Sequence, residues 1–474
     1  MRRFRRTTLI TAGCVAILVG IGLSRKVQNY PEVWWLAAAP LLLLLKSKNL
    51  TSLLLVLIFG LTVGLWRGSQ YMVHVHQLQS LALHQVTIEA TATSDSIYGN
   101  RSQVQFTGNQ IQLIEPYQSQ LTGSFKLSGF GVHMVYRGDR IRVSGKVYPS
   151  RGANQATIAY AKLQTVGSNN SLIYKISRNF SAGMQNALPE PLASFAMGLL
   201  IGQRVTMPPE IILALTMVGL IHIVAVSGYN VTIMARAVAR LRLPSKYQQL
   251  VISLVLISGF VLITGFSASI VRAAIVSLLT LWAWYYGRKI APLVLITFTA
   301  AMTGLFSPFY VWSDLGWYLS FLAFFGVLVI GPIITARLFS KPPKLLTSVL
   351  IETLSAELMT LPLIMMTFGQ LSLIAIVANI LIVPLVPLAM LLSAVAGLAG
   401  MLVPSLAGWL ALPARLVLTY MLDLVHILSN IPSEFLHLSI SPAIMIMGYG
   451  LVLLMVLAAT RHLKLRAKVI KAEA

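Results

Sequence analysis

Gly219-Leu-Ile-His-Ile-Val-Ala-Val-Ser-Gly-Tyr-Asn230 is the stretch that decides the fold. It begins as an apolar run, breaks at Ser227-Gly228, and resumes as Val231–Leu241. A break inside hydrocarbon strands backbone N–H and C=O groups unless they line a wet cavity. The restarted helix, with Asn230 near its cap, points N–H groups into that cavity, and such an end favours anions, phosphate included. Arg236, Arg240 and Arg242 follow and mark a cytoplasmic mouth. A simple kinked helix is the alternative.

Outward from this segment the chain keeps membrane composition. It is 57% hydrophobic and 10% charged, with a mean hydropathy of +0.79, against about 25% charged for an ordinary soluble domain. Apolar runs recur at Thr8–Leu23, Leu50–Trp66, Leu250–Gly265, Ile270–Tyr286, Trp317–Ile334 and Ala443–Ala459. Each approaches or exceeds the roughly 17 residues that a helix needs to cross the hydrocarbon layer. The first run lacks an evident cleavage site and reads as a retained anchor. Pro244, Pro292, Pro308, Pro342-Pro343, Pro404 and Pro432 lie in or near the gaps.

Residues 71–168 interrupt the pattern. Val86–Thr93, Ser102–Phe106 and Ile141–Tyr148 alternate polar with β-branched or aromatic residues, the period of half-buried strands. Tyr98-Gly-Asn100, Thr107-Gly-Asn109 and Arg137-Gly-Asp139 read as turns between them. Short strands at this density suit a small barrel of the oligonucleotide-binding (OB) type. The expected fold is therefore a polytopic α-helical membrane protein with an inserted, extracytoplasmic OB-like β-barrel. Its expected parts are an anchor of about three transmembrane helices (1–70, the third run being Val33–Leu45), the OB-like domain (71–168), an amphipathic connector (169–190), a multi-span domain (191–460) and a basic cytoplasmic tail (461–474). The net charge of +23 gathers partly in Met1–Arg6, at Lys46 and Lys48, and in Arg461–Lys471, as the positive-inside rule requires of cytoplasmic segments.

Several chemistries are missing. The one Gly-Lys pair, Gly145-Lys146, sits in a strand and is followed by Val147, so the chain carries no phosphate-binding P-loop. There is no H-E-x-x-H, and His74-Val-His76 has no neighbouring carboxylates to complete a zinc site. Ala225-Val-Ser-Gly228 suggests a nucleophilic serine with His222 as base. Five helical residues, however, separate the two side chains by about 140° around the axis, and Ala225 stands where a nucleophile elbow needs glycine. Cys14 is the only cysteine, so no internal disulfide forms. The expectation is a non-enzyme without cofactor or metal.

Two constellations remain. The β region holds eight basic and four acidic residues, and five of the basic ones, Arg137, Arg140, Arg142, Lys146 and Arg151, are clustered. Arg140, Arg142 and Lys146 share the outer face of one strand, and Phe106, Tyr136 and Tyr148 offer rings. Cations for phosphates and rings for bases hold single strands without sequence preference; a solvated strand face over core aromatics is the plainer alternative. In the spans, His222, Arg272, Asp314, Glu357 and Asn379 are polar residues at apolar depth, where such groups face a pathway or a partner. Asp314 after Ser313 also fits a helix cap, and Arg272 and Glu357 could pair with each other.

These residues carry a resemblance. His222-Ile-Val-Ala-Val-Ser-Gly-Tyr-Asn-Val231 resembles the signature of the ComEC-type competence proteins, the DNA-import channels of naturally transformable bacteria. Gly265-Phe-Ser-Ala-Ser-Ile-Val-Arg-Ala-Ala274, Asp314-Leu-Gly-Trp-Tyr-Leu-Ser-Phe-Leu-Ala323 and Leu361-Pro-Leu…Phe368-Gly-Gln-Leu371…Ala378-Asn-Ile-Leu-Ile-Val-Pro384 resemble further motifs of that family, in the same order. Gly138–Val147 looks like part of its OB-type domain. The resemblance implies an inner-membrane channel for single-stranded DNA, with Ser227, Gly228 and Asn230 joining His222, Arg272, Asp314, Glu357 and Asn379 along the channel. It implies a DNA receptor outside, a cytoplasmic ATPase and single-strand-binding proteins inside, and membrane lipid around. Tyr229-Asn230 stand where the family commonly has Leu-His, and the C-terminal metallo-β-lactamase-like domain of many members, with its H-x-H-x-D-H motif, has no counterpart; a separate nuclease is then expected. A transporter of another anionic solute and a non-transporting assembly subunit are the rival expectations.

Overall fold

Seven helical segments among the described residues are long and apolar enough to cross a membrane: Arg6–Lys26, Leu50–Ser80, Leu315–Leu338, Thr347–Thr367, Val377–Leu402, Leu412–Ser429 and Pro442–Ala459. The chain is a multi-pass membrane protein by that length and composition. The computed structural model describes residues 4–26, 49–98, 103–132, 134–149, 154–168, 172–203, 206–224, 231, 245–264, 268–288, 290–339, 341, 343–368, 373–431 and 440–472. The expected third anchor span, Val33–Leu45, lies outside them. The chain divides into two compact units, Met1–Met207 with Val224–Tyr318 and Met390–Arg415, and Pro208–Ile223 with Leu319–Ala389 and Leu416–Ala474.

The first unit is built on a close helix pair. Arg6–Leu23 lies against Leu50–Ser80 along a seam of small residues. Gly60, Gly64 and Gly68 recur every fourth residue and so share one helix face. A Cβ at Gly64 would stand 2.1 Å from the Ile17 carbonyl oxygen, and one at Gly60 2.6 Å from that of Gly13. Between membrane helices, where no hydrophobic force separates helix from lipid, such small-residue approaches supply the packing. The helix Pro292–Phe306 joins this pair, and the Arg67 side chain donates to its terminal carbonyls at Leu305 (2.7 Å) and Phe306 (3.2 Å), where a cation complements the helix dipole.

Leu50–Ser80 runs well past residue 70, and the first strand starts only at Gln85. Among the described residues seven strands follow: β1 Gln85–Ala92, β2 Ile97–Tyr98, β3 Val104–Glu115, β4 Ser119–Leu121, β5 Phe125–Phe130, β6 Arg140–Pro149 and β7 Ala156–Gly167. They form one mixed sheet in the order β1-β6-β7-β5-β3-β2, with β4 on β3. β1 also pairs with β3, so the pairings return to their starting strand. β5 and β7 run parallel and the other pairs antiparallel. Inward positions alternate as the sequence period requires, with Val86, Ile88, Ile111, Leu113, Ile141 and Val143 buried together. Leu78 and Leu81, from the end of the membrane helix, belong to the same core.

Thr107-Gly-Asn109 corrects the sequence expectation: it is no turn but the middle of β3. Gly108 is there because strands cross closely. A Cβ would lie 2.9 Å from Leu127 Cδ1 and 3.0 Å from Ala90 Cβ, the situation in which a strand interior accepts glycine. Arg137-Gly-Asp139 is a turn, with Gly138 at φ 92°. The connector forms the helix Leu172–Ala187. It meets Val386–Leu402 so closely that a Cβ on Gly183 would lie 2.6 Å from the Gly397 carbonyl oxygen.

In the second unit, Leu345–Phe368 carries Pro362 inside it. The Tyr449 hydroxyl, from Pro442–Ala472, donates to the Met359 carbonyl (2.9 Å) close to where the proline removes a helix N–H. Facing Leu345–Phe368, residues Gly326–Ile330 open into a π turn. A Cβ on Gly326 would come within 2.3 Å of the Ser355 carbonyl oxygen, so only glycine permits this approach.

Candidate functional site

The basic strand of the β domain is β6. Its alternation turns Arg140, Arg142 and Lys146 outward. β1 lies beside it in register, with Glu89 opposite Arg142. Glu89 accepts from Arg142 Nη2 at 2.7 Å and pairs with Arg140 at 3.5 Å, so one carboxylate offsets part of that positive stripe. Arg137 donates to the Leu262 carbonyl at 3.1 Å. Tyr136 and Tyr148 are exposed rings. Phe106 is a correction: at 3% exposure it sits in the β core, because its position in β3 points inward, and it presents no face to a ligand. Arg151 lies outside the described residues.

Lys146 and Tyr148 line a groove of about 530 Å³ with Tyr160 and Lys162 of β7. Tyr160 and Lys162 are not among the residues that the sequence predicts for this site. The sequence signal is Ile158-Ala-Tyr-Ala-Lys-Leu163, whose two large apolar residues stand five apart, an odd spacing that places both on the buried face only if the strand slips by one residue, as the structure shows.

Two carboxylates brace the turn that leads into β6. Asp95 accepts from the Arg137 backbone N–H and Asp139 from that of Tyr136, each at 2.9 Å. Burial raises the Asp95 carboxyl above the usual carboxylate range, against the lowering effects of the Arg137 hydrogen bond and charge. Burial likewise raises Asp139, opposed by the Tyr136 bond and by Arg178. A raised folded-state value means that the native form holds its proton after the unfolded form has lost it. Stability therefore falls as pH rises from the unfolded value, about 3.9, through the raised native one. Asp95→Asn keeps an acceptor and removes the charge. It should flatten that decline, read as hydrogen exchange of β1 and β6 amides between about pH 4 and pH 7; an unchanged slope would remove Asp95 as its source.

The membrane helices hold a second arrangement. Arg272 lies on Ala268–Tyr285 and is 2% exposed. Its Nη2 donates to the Gly316 carbonyl at 3.1 Å, and Gly316 N–H donates to Asp314 Oδ1 at 2.9 Å. Asp314 thus caps Leu315–Phe325, the reading its place after Ser313 favours, and its charge also attracts Arg272. Trp317 Nε1, one residue on, donates to Thr303 Oγ1 at 3.0 Å.

In the other unit, Asn379 on Leu373–Ile382 donates through Nδ2 to Glu357 Oε1 on Leu345–Phe368. Arg272 and Glu357 therefore each have a local partner of their own. His222 sits in the short turn Ile221–Val224, its Nδ1–H donating to the Gly219 carbonyl at 3.0 Å. The preceding helix, Pro209–Met217, ends in a Schellman cap: Gly219 N–H reaches the Thr216 carbonyl (3.0 Å), Leu220 N–H the Leu215 carbonyl (2.7 Å), and Gly219 takes φ 75°. The chain is thus already interrupted eight residues before Ser227. Ser227, Gly228 and Asn230 lie outside the described residues. His74 stacks edge-on against Tyr71, with centroids 6.1 Å apart, an ordinary packing role.

The family model described as "Competence protein" matches residues 199–462. ComE operon protein 3 of Bacillus subtilis (strain 168) is 23% identical over 212 residues, which cover 44% of this chain and 26% of that protein. The match therefore spans well under two thirds of that relative. No solved structure matches. The family match takes in more than half of the residues and includes Arg272, Asp314, Glu357 and Asn379. This chain belongs to the competence protein family.

Proposed function

We propose that the chain forms the inner-membrane channel through which single-stranded DNA enters a bacterial cell during natural transformation. The observation that carries this reading is Arg272: a guanidinium 2% exposed among apolar helices, in a family of competence proteins. A charge at that depth costs several kcal/mol and is kept where it meets a pathway or partner. A cation there offsets part of the cost of bringing phosphates into low dielectric.

The β domain lies outside the cytoplasm and meets the strand first. Its pairing circuit, β1-β3-β5-β7-β6 and back to β1 with β2 and β4 as additions on β3, is the order expected of an OB-like barrel, and this supports a nucleic-acid role. The strand then passes to a path lined by His222, Ser227, Gly228, Asn230, Arg272, Asp314, Glu357 and Asn379. Pulling comes from a cytoplasmic ATPase or from proteins coating the emerging strand. A strain deleted for the chain should lose uptake of labelled DNA and regain it on complementation. Undiminished uptake in the deletion strain would overturn the reading and favour another anionic solute or an assembly role.

A further inference from the structure

We propose that the groove between β6 and β7 is a single-strand DNA subsite, with Tyr160 as the stacking platform and Lys146 and Lys162 as the phosphate clamp. The decisive feature is a bulge. On one edge of β7, Ala159 pairs with Lys146 and Lys162 with Ser144. On the other, Ile158 pairs with Leu127 and Ala161 with Gly129. Both partners advance two residues where β7 advances three. One residue is therefore extra, and the side-chain alternation flips beyond it. Counted from buried Ile158, a regular strand would point Tyr160 and Lys162 into the core. The bulge turns both outward, with Tyr160 65% exposed and Ala161 buried in its place.

The fold is arranged around this irregularity. Tyr160 holds φ 55°, a conformation that suits glycine and costs a tyrosine stability. Leu83, at φ 66°, lines the same groove. Glycines on the adjoining strands make room: a Cβ on Gly129 would lie 2.0 Å from the Ala161 carbonyl oxygen, and one on Gly145 2.8 Å from Ile158 Cγ2. Strained positions and bulges of this kind collect where a side chain must be aimed at a ligand.

Chemistry selects the occupant. The groove offers two lysines and two tyrosines, and none of its lining residues is acidic. Cations beside exposed rings match the alternating phosphates and bases of an unpaired strand. Position disfavours lipid headgroups. Leu50–Ser80 continues from Arg67, the first charge after its apolar run, to Ser80, which is about 20 Å of helix, and a headgroup layer is only about 5–8 Å deep.

The subsite rests on the import reading for the identity of its ligand, and the test separates the two. The full chain, in nanodiscs of zwitterionic phosphatidylcholine, is titrated against a fluorescent oligothymidylate at several salt concentrations. Tyr160→Gly suits the backbone and removes the ring; it should weaken binding about 5- to 140-fold, while Tyr160→Phe binds as wild type. Lys146→Ala with Lys162→Ala should lower the slope of log affinity against log salt by about 1.4. Wild-type affinity in Tyr160→Gly and in the double lysine variant would overturn the subsite but leave import to the deletion assay. A wild-type chain that binds no oligonucleotide overturns the subsite as well. So does a groove variant that loses only its binding to phosphatidylglycerol vesicles, which would assign the lysines to lipid.

Discussion

Cells carrying Arg272→Met should take up no more labelled DNA, per molecule of chain in the membrane, than cells lacking it. The guanidinium is buried, hydrogen-bonded to the Gly316 carbonyl, and attracted by Asp314. Methionine fills similar volume but leaves Asp314 without its countercharge, and removing one partner of a buried charge pair costs about 3–5 kcal/mol. Lost uptake alone would therefore not distinguish a damaged fold from a damaged path. Arg272→Met combined with Asp314→Asn does. Both charges are gone, asparagine can still accept from Gly316 N–H, and replacing a whole buried pair is often neutral for stability. If Arg272 serves phosphates, the double variant melts near wild type and still fails in uptake. Restored uptake would reduce Arg272 to a countercharge for Asp314.

The second large effect is expected at Gly64. A side chain there meets backbone, since its Cβ would lie 2.1 Å from the Ile17 carbonyl oxygen and 2.9 Å from the Ile21 nitrogen. Neither can rotate away, so the helices must separate along the seam that includes Gly60 and Gly68. Overpacking costs about 1–3 kcal/mol and sometimes more, and Gly64→Leu should exceed Gly64→Ala. Thermal unfolding in detergent reads the difference. Gly22→Ala is the contrast, because its Cβ would meet nothing within 4 Å. Equal melting of Gly64→Leu and wild type would mean that the pair does not associate through this face.

Helices were legible where apolar runs were long, because spanning hydrocarbon leaves one way to satisfy the backbone. Strand positions followed from period two, as in Val86–Thr93 and Ile141–Tyr148. Gly108 misled because glycine marks turns and close strand crossings alike. Tyr160 and Lys162 escaped notice because a bulge reverses the period on which facing is judged. Phe106 was placed on the surface for its chemistry when its register placed it inside. The pairing of Glu357 with Asn379 joins residues far apart in the chain, and no spacing rule announces it. The seam glycines at 60, 64 and 68 are absent from the sequence analysis, although fourth-residue repeats of small side chains mark membrane helix contacts.

Leu50–Ser80 has one end in lipid and the other, through Leu78 and Leu81, embedded in the β core. Gln77 and Ser119 add a hydrogen bond of 3.1 Å across the same junction. A domain mounted this way stands on a stiff mast instead of swinging on a tether. A force on the sheet is therefore passed along Leu50–Ser80 to the seam with Arg6–Leu23, so that the β domain and the membrane helices move as one lever.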